Sequence, residues 1–371
     1  MLRTWGLRNL LQGSNPLHER MTWFWHNHFT TSTERVRFGI WMARHDLILR
    51  KHALGNFGDL LREASLSAAM LIYLDGRRNV KNAPNENFAR ELLELFTLGE
   101  GHYTEKDVKE AARALTGWVV DERHDRVVFV PARHDHGVKT FLGRRGRFNA
   151  FDIFEILQNH PRTAEFICEK MWREFISVAP PDKNVIKQWA RVYRKSGLNM
   201  RVLLRTILHG EPFWANEHRG ALVKSPIDLV AGTLRAVPLE GSTLTSRQIT
   251  NLLAQMGLVP YQPPSVAGWN GGLAWVDDAR LMARRQFLHR ISRGSMLPTK
   301  MPKNSVLPPN KLYSPDHPIS TPWAILPTPA ELPRTHWAEW LLAVPPFTRE
   351  TSHTWVESLR TILLDPTYQV K

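Results

Sequence analysis

Apolar positions recur at helical spacing along most of the chain, most plainly in residues 84–118, PNENFARELLELFTLGEGHYTEKDVKEAARALTGW. Phe88, Leu92, Leu95 and Phe96 form a stripe, Asn85 stands where an N-cap belongs, and Gly99 marks the stop. Thr104, with Asp107 three residues on, opens a second helix as an approximate capping box, and Gly117 closes it. The pair predicts a helix hairpin. Further helices are predicted over 161–176, where a proline occupies the first turn, and over 185–195, 200–208, 225–236, 246–256 and 277–290. Strand character is confined to 118–130, WVVDERHDRVVFV, in which two β-branched runs flank a polar turn and predict a small hairpin. Residues 21–32, MTWFWHNHFTTS, are dense in aromatic side chains yet show no clean helical stripe.

The pattern changes near Ser295. Over 297–346 prolines return every few residues, which prevents long helices and favours extended chain. Two short amphipathic stretches, 336–343 and 351–364, are predicted to end the chain as helices. The expected fold is therefore mainly α: a multi-helix globular domain over 1–295 with a small β-hairpin insertion, and a proline-rich C-terminal arm over 296–371. No fixed-period repeat is present, which argues against a solenoid.

Composition narrows the classes. With 371 residues and 43% hydrophobic content the chain can bury a substantial core. A single cysteine, Cys168, excludes an internal disulfide, and its apolar helical surroundings fit a packed thiol better than a nucleophile. No apolar run approaches the roughly 20 residues of a membrane span. The N-terminal residues lack the apolar region and cleavage site of a signal peptide, so the chain as written is expected to stay in the cytoplasm. The 49 Lys and Arg against 35 Asp and Glu give +14, which suits an anionic polymer as partner. Nucleic acid is disfavoured, because no recognition motif accompanies the charge and its densest run, GRRGRF, is short.

Three polar clusters are candidates for chemistry. In WHNHF, His26 and His28 could share a metal on an extended segment, since residues two apart then lie on one face, but not easily on a helix. The alternative is a buried segment whose histidines hydrogen-bond inside. In NENFARELLEL, Glu86 and Arg90 are four apart, as are Arg90 and Glu94. Such spacing gives intrahelical ion pairs on a solvated face, or, if the helix is buried, a site with Glu86 or Glu91 as general base and Arg90 holding an anion. In RHDHGVK, His134, Asp135, His136 and Lys139 crowd a glycine after Pro131. This loop suits a divalent metal ion or an anionic substrate, or else polar contacts that merely stabilise it. The candidate catalytic set is thus Glu86, Arg90, Glu91, His134, Asp135 and Lys139, and the candidate metal set His26, His28 and His134. Trp118 and Trp269 are candidate substrate-binding residues; Trp269 and Trp275, in YQPPSVAGWNGGLAW, could stack on a sugar or pack a loop. No nucleotide loop and no nucleophile elbow is present.

The segments PLHERMTWFWHNHF, NENFARELLELFTLGEGHYTEKDVKEAARALTGW, HDHGVK, HPRTAEFICEKMWREF, KSPIDLVAGTLRA and PPSVAGWNGGLAW, in this order, resemble the bacterial family called domain of unknown function 1800, from about Pro16 to about Arg290. The resemblance implies an exported or cell-envelope protein. It also implies a possible partner from the domain of unknown function 1501 family, which looks like the sulfatase superfamily. It assigns no catalytic residue. Family members usually carry a further segment with an export signal ahead of PLHERM, and the proline-rich stretch after Ser295 departs from their pattern. Polar residues kept at His26, His28, Glu86, Arg90, Glu91, His134, Asp135 and Lys139 are hard to explain by packing alone. The expectation is therefore one shared pocket serving a metal-assisted or acid/base hydrolase or transferase on a sugar or anionic ester. The rival expectation is a non-catalytic envelope-associated binding or assembly protein, with the same residues buried and mutually bonded.

Overall fold

The segment without a visible stripe is helical. In the computed structural model, which describes residues 1–237, 244–292, 318–319, 338, 341–347 and 355–371, the first eighty residues form five helices: α1 (Leu2–Gln12), α2 (Pro16–His28), α3 (Gly39–His52), α4 (Phe57–Ser65) and α5 (Ala68–Tyr73). Helix α2 opens on Asn15, whose side chain accepts from the His18 amide, with Pro16 in its first turn. Of its thirteen residues only Pro16 is exposed. Packed on nearly every side, the helix carries polar side chains all round that are bonded to buried partners, so no apolar stripe stands out and its sequence looks patternless.

The predicted hairpin of helices follows. Asn85 caps α6 (Glu86–Glu91), which continues as a π-helical turn (Leu92–Thr97) before Gly99 at φ +80° ends it. Helix α7 (Glu105–Ala114) starts with the complete Thr104–Asp107 capping box. Strands β1 (Trp118–Asp121) and β2 (Arg126–Phe129) pair antiparallel with Asp121 opposite Arg126, as the sequence predicts. A second small hairpin, β3 (Lys139–Phe141) with β4 (Arg144–Gly146), occupies ground where the sequence suggests only a loop.

Next come α8 (Ala150–Asn159), α9 (Pro161–Phe175), α10 (Lys183–Lys195), α11 (Met200–Leu208), α12 (Glu211–Trp214) and α13 (Pro226–Ala236). Strand β5 (Leu244–Thr245), α14 (Ser246–Gln255), α15 (Asp278–Ser292), β6 (Pro318–Ile319), antiparallel to β5, and α16 (Trp355–Leu364) complete the described elements. Most of the proline-rich stretch, with most of the expected helix over 336–343, lies outside the described residues.

Apolar side chains gather in two clusters. The larger draws on α2 through α11 and Tyr261. The smaller joins Leu7 and Leu11 of α1 to α13, α14, α15 and the C-terminal Leu359, Ile362, Leu363 and Tyr368. Helix α16 packs on α15, and the chain end bonds to the segment before α13 through Leu222 and Lys371. Trp23 of α2 packs against both clusters, so α2 stands at their junction. A buried ionic network fixes α2 there. Arg50 donates to Glu19 at 2.6 Å and to Asp46 at 2.8 Å, and the Tyr261 hydroxyl donates to Asp46 at 3.0 Å. Cys168 is buried in the larger cluster, which pushes its thiol pKa up.

Candidate functional site

The three residues of HNH serve three different neighbours. His26 is 2% exposed and lies among the rings of Trp23, Tyr261 and Trp269. Burial, with His45 nearby, pushes its pKa down to about 3, so the ring is neutral. His28 points to the other side, among Phe24, Trp25, Phe29, Phe57 and Phe96. Its Nε2 bonds the Phe96 carbonyl at 3.1 Å, and its Nδ1 meets Lys170 Nζ at 3.1 Å, while Lys170 also donates to the Leu95 carbonyl at 3.1 Å. A π-turn leaves carbonyls at its end without partners in the helix; His28 and Lys170 satisfy them. Burial lowers His28 well below the usual imidazole range, so its ring is neutral, and lowers Lys170 to about 7.

The other clusters close on themselves. Arg90 makes a two-pronged pair with Glu105 at 2.7 Å and lies 3.6 Å from Glu86 on an open face. Glu91 is half-buried, and burial followed by Glu94 raises its pKa. His134 Nδ1 donates to the Thr116 carbonyl at 2.9 Å, Arg113 holds Asp135 at 2.7 Å, and Lys139, 1% exposed, donates to the Asp135 and Gly137 carbonyls. Burial lowers both His134 and Lys139, whereas the Arg113 bond lowers Asp135. Backbone links join adjacent clusters: the Asn79 side chain accepts from the Asn85 amide and its carbonyl from Gly117. The side chains of His26, Glu86 and His134 nevertheless stand in three separate neighbourhoods. No three His, Cys, Asp or Glu side chains gather as a metal-holding group among the described residues. Trp118 packs on Phe129 and Phe151.

A different place combines openness with chemistry. A cleft of about 500 Å³ lies at the junction of the two apolar clusters, between α2, the end of α9, α13 and the loop 257–275. Trp23, Phe24, Trp269 and Trp275 wall it. Asn27, the middle residue of HNH, clamps this wall: its Oδ1 accepts from the Trp269 amide at 2.7 Å and its Nδ2 donates to the Trp269 carbonyl at 3.2 Å. The fit requires a glycine at 268, where φ is +81° and a Cβ would lie 2.2 Å from Asn27 Oδ1.

The polar edge of the cleft is an ionic cluster. Arg20 bridges Glu174 at 2.6 Å and Asp228 at 3.1 Å, and Lys371 also pairs with Asp228. Burial opposes charge on Asp228, but Lys371 and Arg20 outweigh it and hold the carboxyl below its ordinary range. Two donors here, Arg20 Nε and Trp23 Nε1, are buried without a hydrogen-bond partner among the described residues. Gly232 of α13 is exposed, and nothing lies within 4 Å of where its Cβ would be.

Of the sequence candidates, Trp269 lines this cleft and His26 backs it. Arg20, Asn27, Glu174 and Asp228 carry no sequence signal as a group. Asp228 has only the marks of a capping residue, which it also is, since Ser225 and Asp228 form a box. Neither a curated protein nor a solved structure matches the chain. A family model, described as Protein of unknown function (DUF1800), matches residues 1–370, past the limit near Arg290 to which the quoted motifs extend and through the proline-rich stretch. The chain therefore belongs to that family over essentially its whole length.

Proposed function

We propose that the protein binds a neutral saccharide in the cleft between α2 and α13. The observation that carries this reading is the half-buried pair Trp23 and Phe24, backed by the buried Trp269 and Trp275, beside the Arg20–Glu174–Asp228 cluster. Sugar rings offer apolar faces to aromatic rings and hydroxyl edges to charged, planar acceptors and donors. Asp228 stays ionised and accepts hydrogen bonds, and the Arg20 guanidinium beside it donates them. Four cations (Arg20, Arg173, Arg235, Lys371) and three acids (Glu19, Glu174, Asp228) line the cleft, a near balance that favours an uncharged ligand.

Binding is favoured over hydrolysis for two reasons. A general acid needs a raised pKa, and Asp228 is shifted the other way. The polar groups from which a metal-assisted or acid/base site was expected are engaged with their own neighbours instead. On this reading the protein works at the cell envelope, where extended saccharides occur.

Isothermal titration of the full chain against a panel of neutral oligosaccharides, with Gly232→Leu beside the native sequence, tests the proposal. The leucine grows into open space from a helical position, so the fold is retained while the cleft is filled. Saturable binding abolished by Gly232→Leu is the expected result. Absence of binding to every member of the panel by the folded native protein would overturn it.

A further inference from the structure

The net charge of +14 is not spread evenly over the surface. Lys187, Arg191, Arg194 and Lys195 recur three, four and eight apart on one face of α10, while Ile186, Trp189, Ala190 and Tyr193 bury the other. Arg201 and Arg205 continue the row on α11, and all six side chains are exposed. None of them pairs with a carboxylate among the described residues.

The row borders concave ground. A groove of about 810 Å³ runs between α10 and the ends of α4, α8 and α9, and four of the six cations line it. Its two acids are already engaged, Asp59 with Arg62 and Glu165 with Arg162. A second groove of about 620 Å³ follows α11 past Arg201 and Arg205. The turn between the helices is pinned to the body, because Phe57 donates to the Leu198 carbonyl at 3.0 Å and Met200 to the Gly55 carbonyl at 2.8 Å. The cations therefore stand on a rigid track.

We propose that this α10–α11 face binds an acidic polysaccharide, a chain bearing a carboxylate on each sugar, laid along the two grooves. Along the α10 axis Lys187, Arg191 and the adjacent Arg194 and Lys195 stand about 6 Å and then about 4.5 to 6 Å apart, at about 1.5 Å per residue, which is near the length of one sugar unit. Uncompensated charge in a concave surface attracts and concentrates a polyanion. Nucleic acid fits less well. No Phe, Tyr or Trp lines either groove, since Trp189 and Tyr193 are 3% and 0% exposed, and a run of unpaired bases would find a single small ring, that of His209, on which to stack. This inference is independent of the aromatic cleft.

The test is fluorescence anisotropy of the full chain with labelled oligogalacturonate, against neutral dextran and an oligothymidylate of equal charge. Oligogalacturonate is expected to bind at low salt at least about tenfold more tightly than oligothymidylate, and to weaken by about tenfold or more on raising the salt to a physiological level. Dextran should not compete. Lys187→Glu with Arg191→Glu and Arg194→Glu should weaken binding by about tenfold or more, and the milder Lys187→Gln with Arg191→Gln by less, both with unchanged melting temperature. Gly232→Leu should bind as the native protein does. The proposal is overturned if oligogalacturonate fails to bind, if the charge-reversed protein binds it equally, if Gly232→Leu abolishes binding, or if oligothymidylate binds as tightly.

Discussion

The His-Asn-His segment of α2 and the His-Asp-His loop after Pro131 look alike on paper and are used in opposite ways. In α2 the three side chains diverge: one backs the tryptophan wall, one clamps it, and one satisfies a π-turn in a different helix. In the loop His134 and Asp135 turn to the end of α7, at Thr116 and Arg113, while His136 and Lys139 bond carbonyls of the loop itself. Two similar-looking polar runs thus hold the fold in different ways: one ties α2 to several distant elements, the other ties a loop to the single helix α7.

Removing one member from each segment should break the symmetry most sharply. His28→Ala opens a cavity among six aromatic rings and strands the Phe96 carbonyl, at a cost of about 3 kcal/mol. Asp135→Ala breaks a partly exposed pair with Arg113 and should cost about 1 kcal/mol. Denaturant unfolding measures both, and an equal or reversed order would erase the distinction drawn here.

Acid should act mainly through α2 and its neighbours. Folded-state pKa values of about 3 for His26 and about 4 for His45 lie below the unfolded value of about 6.5, so the unfolded chain takes up protons first as pH falls. Stability is complete above pH 6.5 and drops below it, by on the order of 1.4 kcal/mol per pH unit for each histidine until its folded pKa is reached. His26→Gln should flatten a melting-temperature profile across pH 4 to 6.5. An unchanged slope would mean that His26 is not held neutral.

An effect of similar size belongs to the other end of the pH scale. Lys170 has a folded pKa of about 7 against an ordinary 10.5, so protonation favours the unfolded chain and stability rises as pH climbs from 7 toward 10.5. Lys170→Met should remove that rise while leaving the Leu95 carbonyl unsatisfied, a loss of about 1 kcal/mol at high pH. Thermal melts of the two proteins at pH 7 and pH 10 separate these contributions. Parallel profiles would show that Lys170 is charged in the fold.

Gly232→Ala carries the smallest effect, a gain of about 0.5 to 1 kcal/mol from helix propensity at an uncrowded position. A loss in melting temperature instead would show that α13 is crowded on its cleft face.

By itself the sequence determined the starts of several helices. Asn85, the Thr104–Asp107 box and Ser225 act on amides within a few residues of themselves, and the hairpin over 118–130 is set by its own turn, so these features are written locally. It was silent about α1 to α5 and about α8; for α2 the reason is that polar side chains bonded to buried partners fall all round the helix, so no apolar stripe stands out. Even the basic track escaped, since four cations spread over nine positions of α10 become one charged face only when a helix winds and packs its other side. Tertiary structure alone decided the cleft. Arg20 meets Glu174 and Asp228 across 154 and 208 residues of chain, and no spacing rule reaches that far. Those carboxylates become a site through the packing of two apolar clusters against one buried helix, a consequence of summed contacts over the whole chain that no short stretch contains.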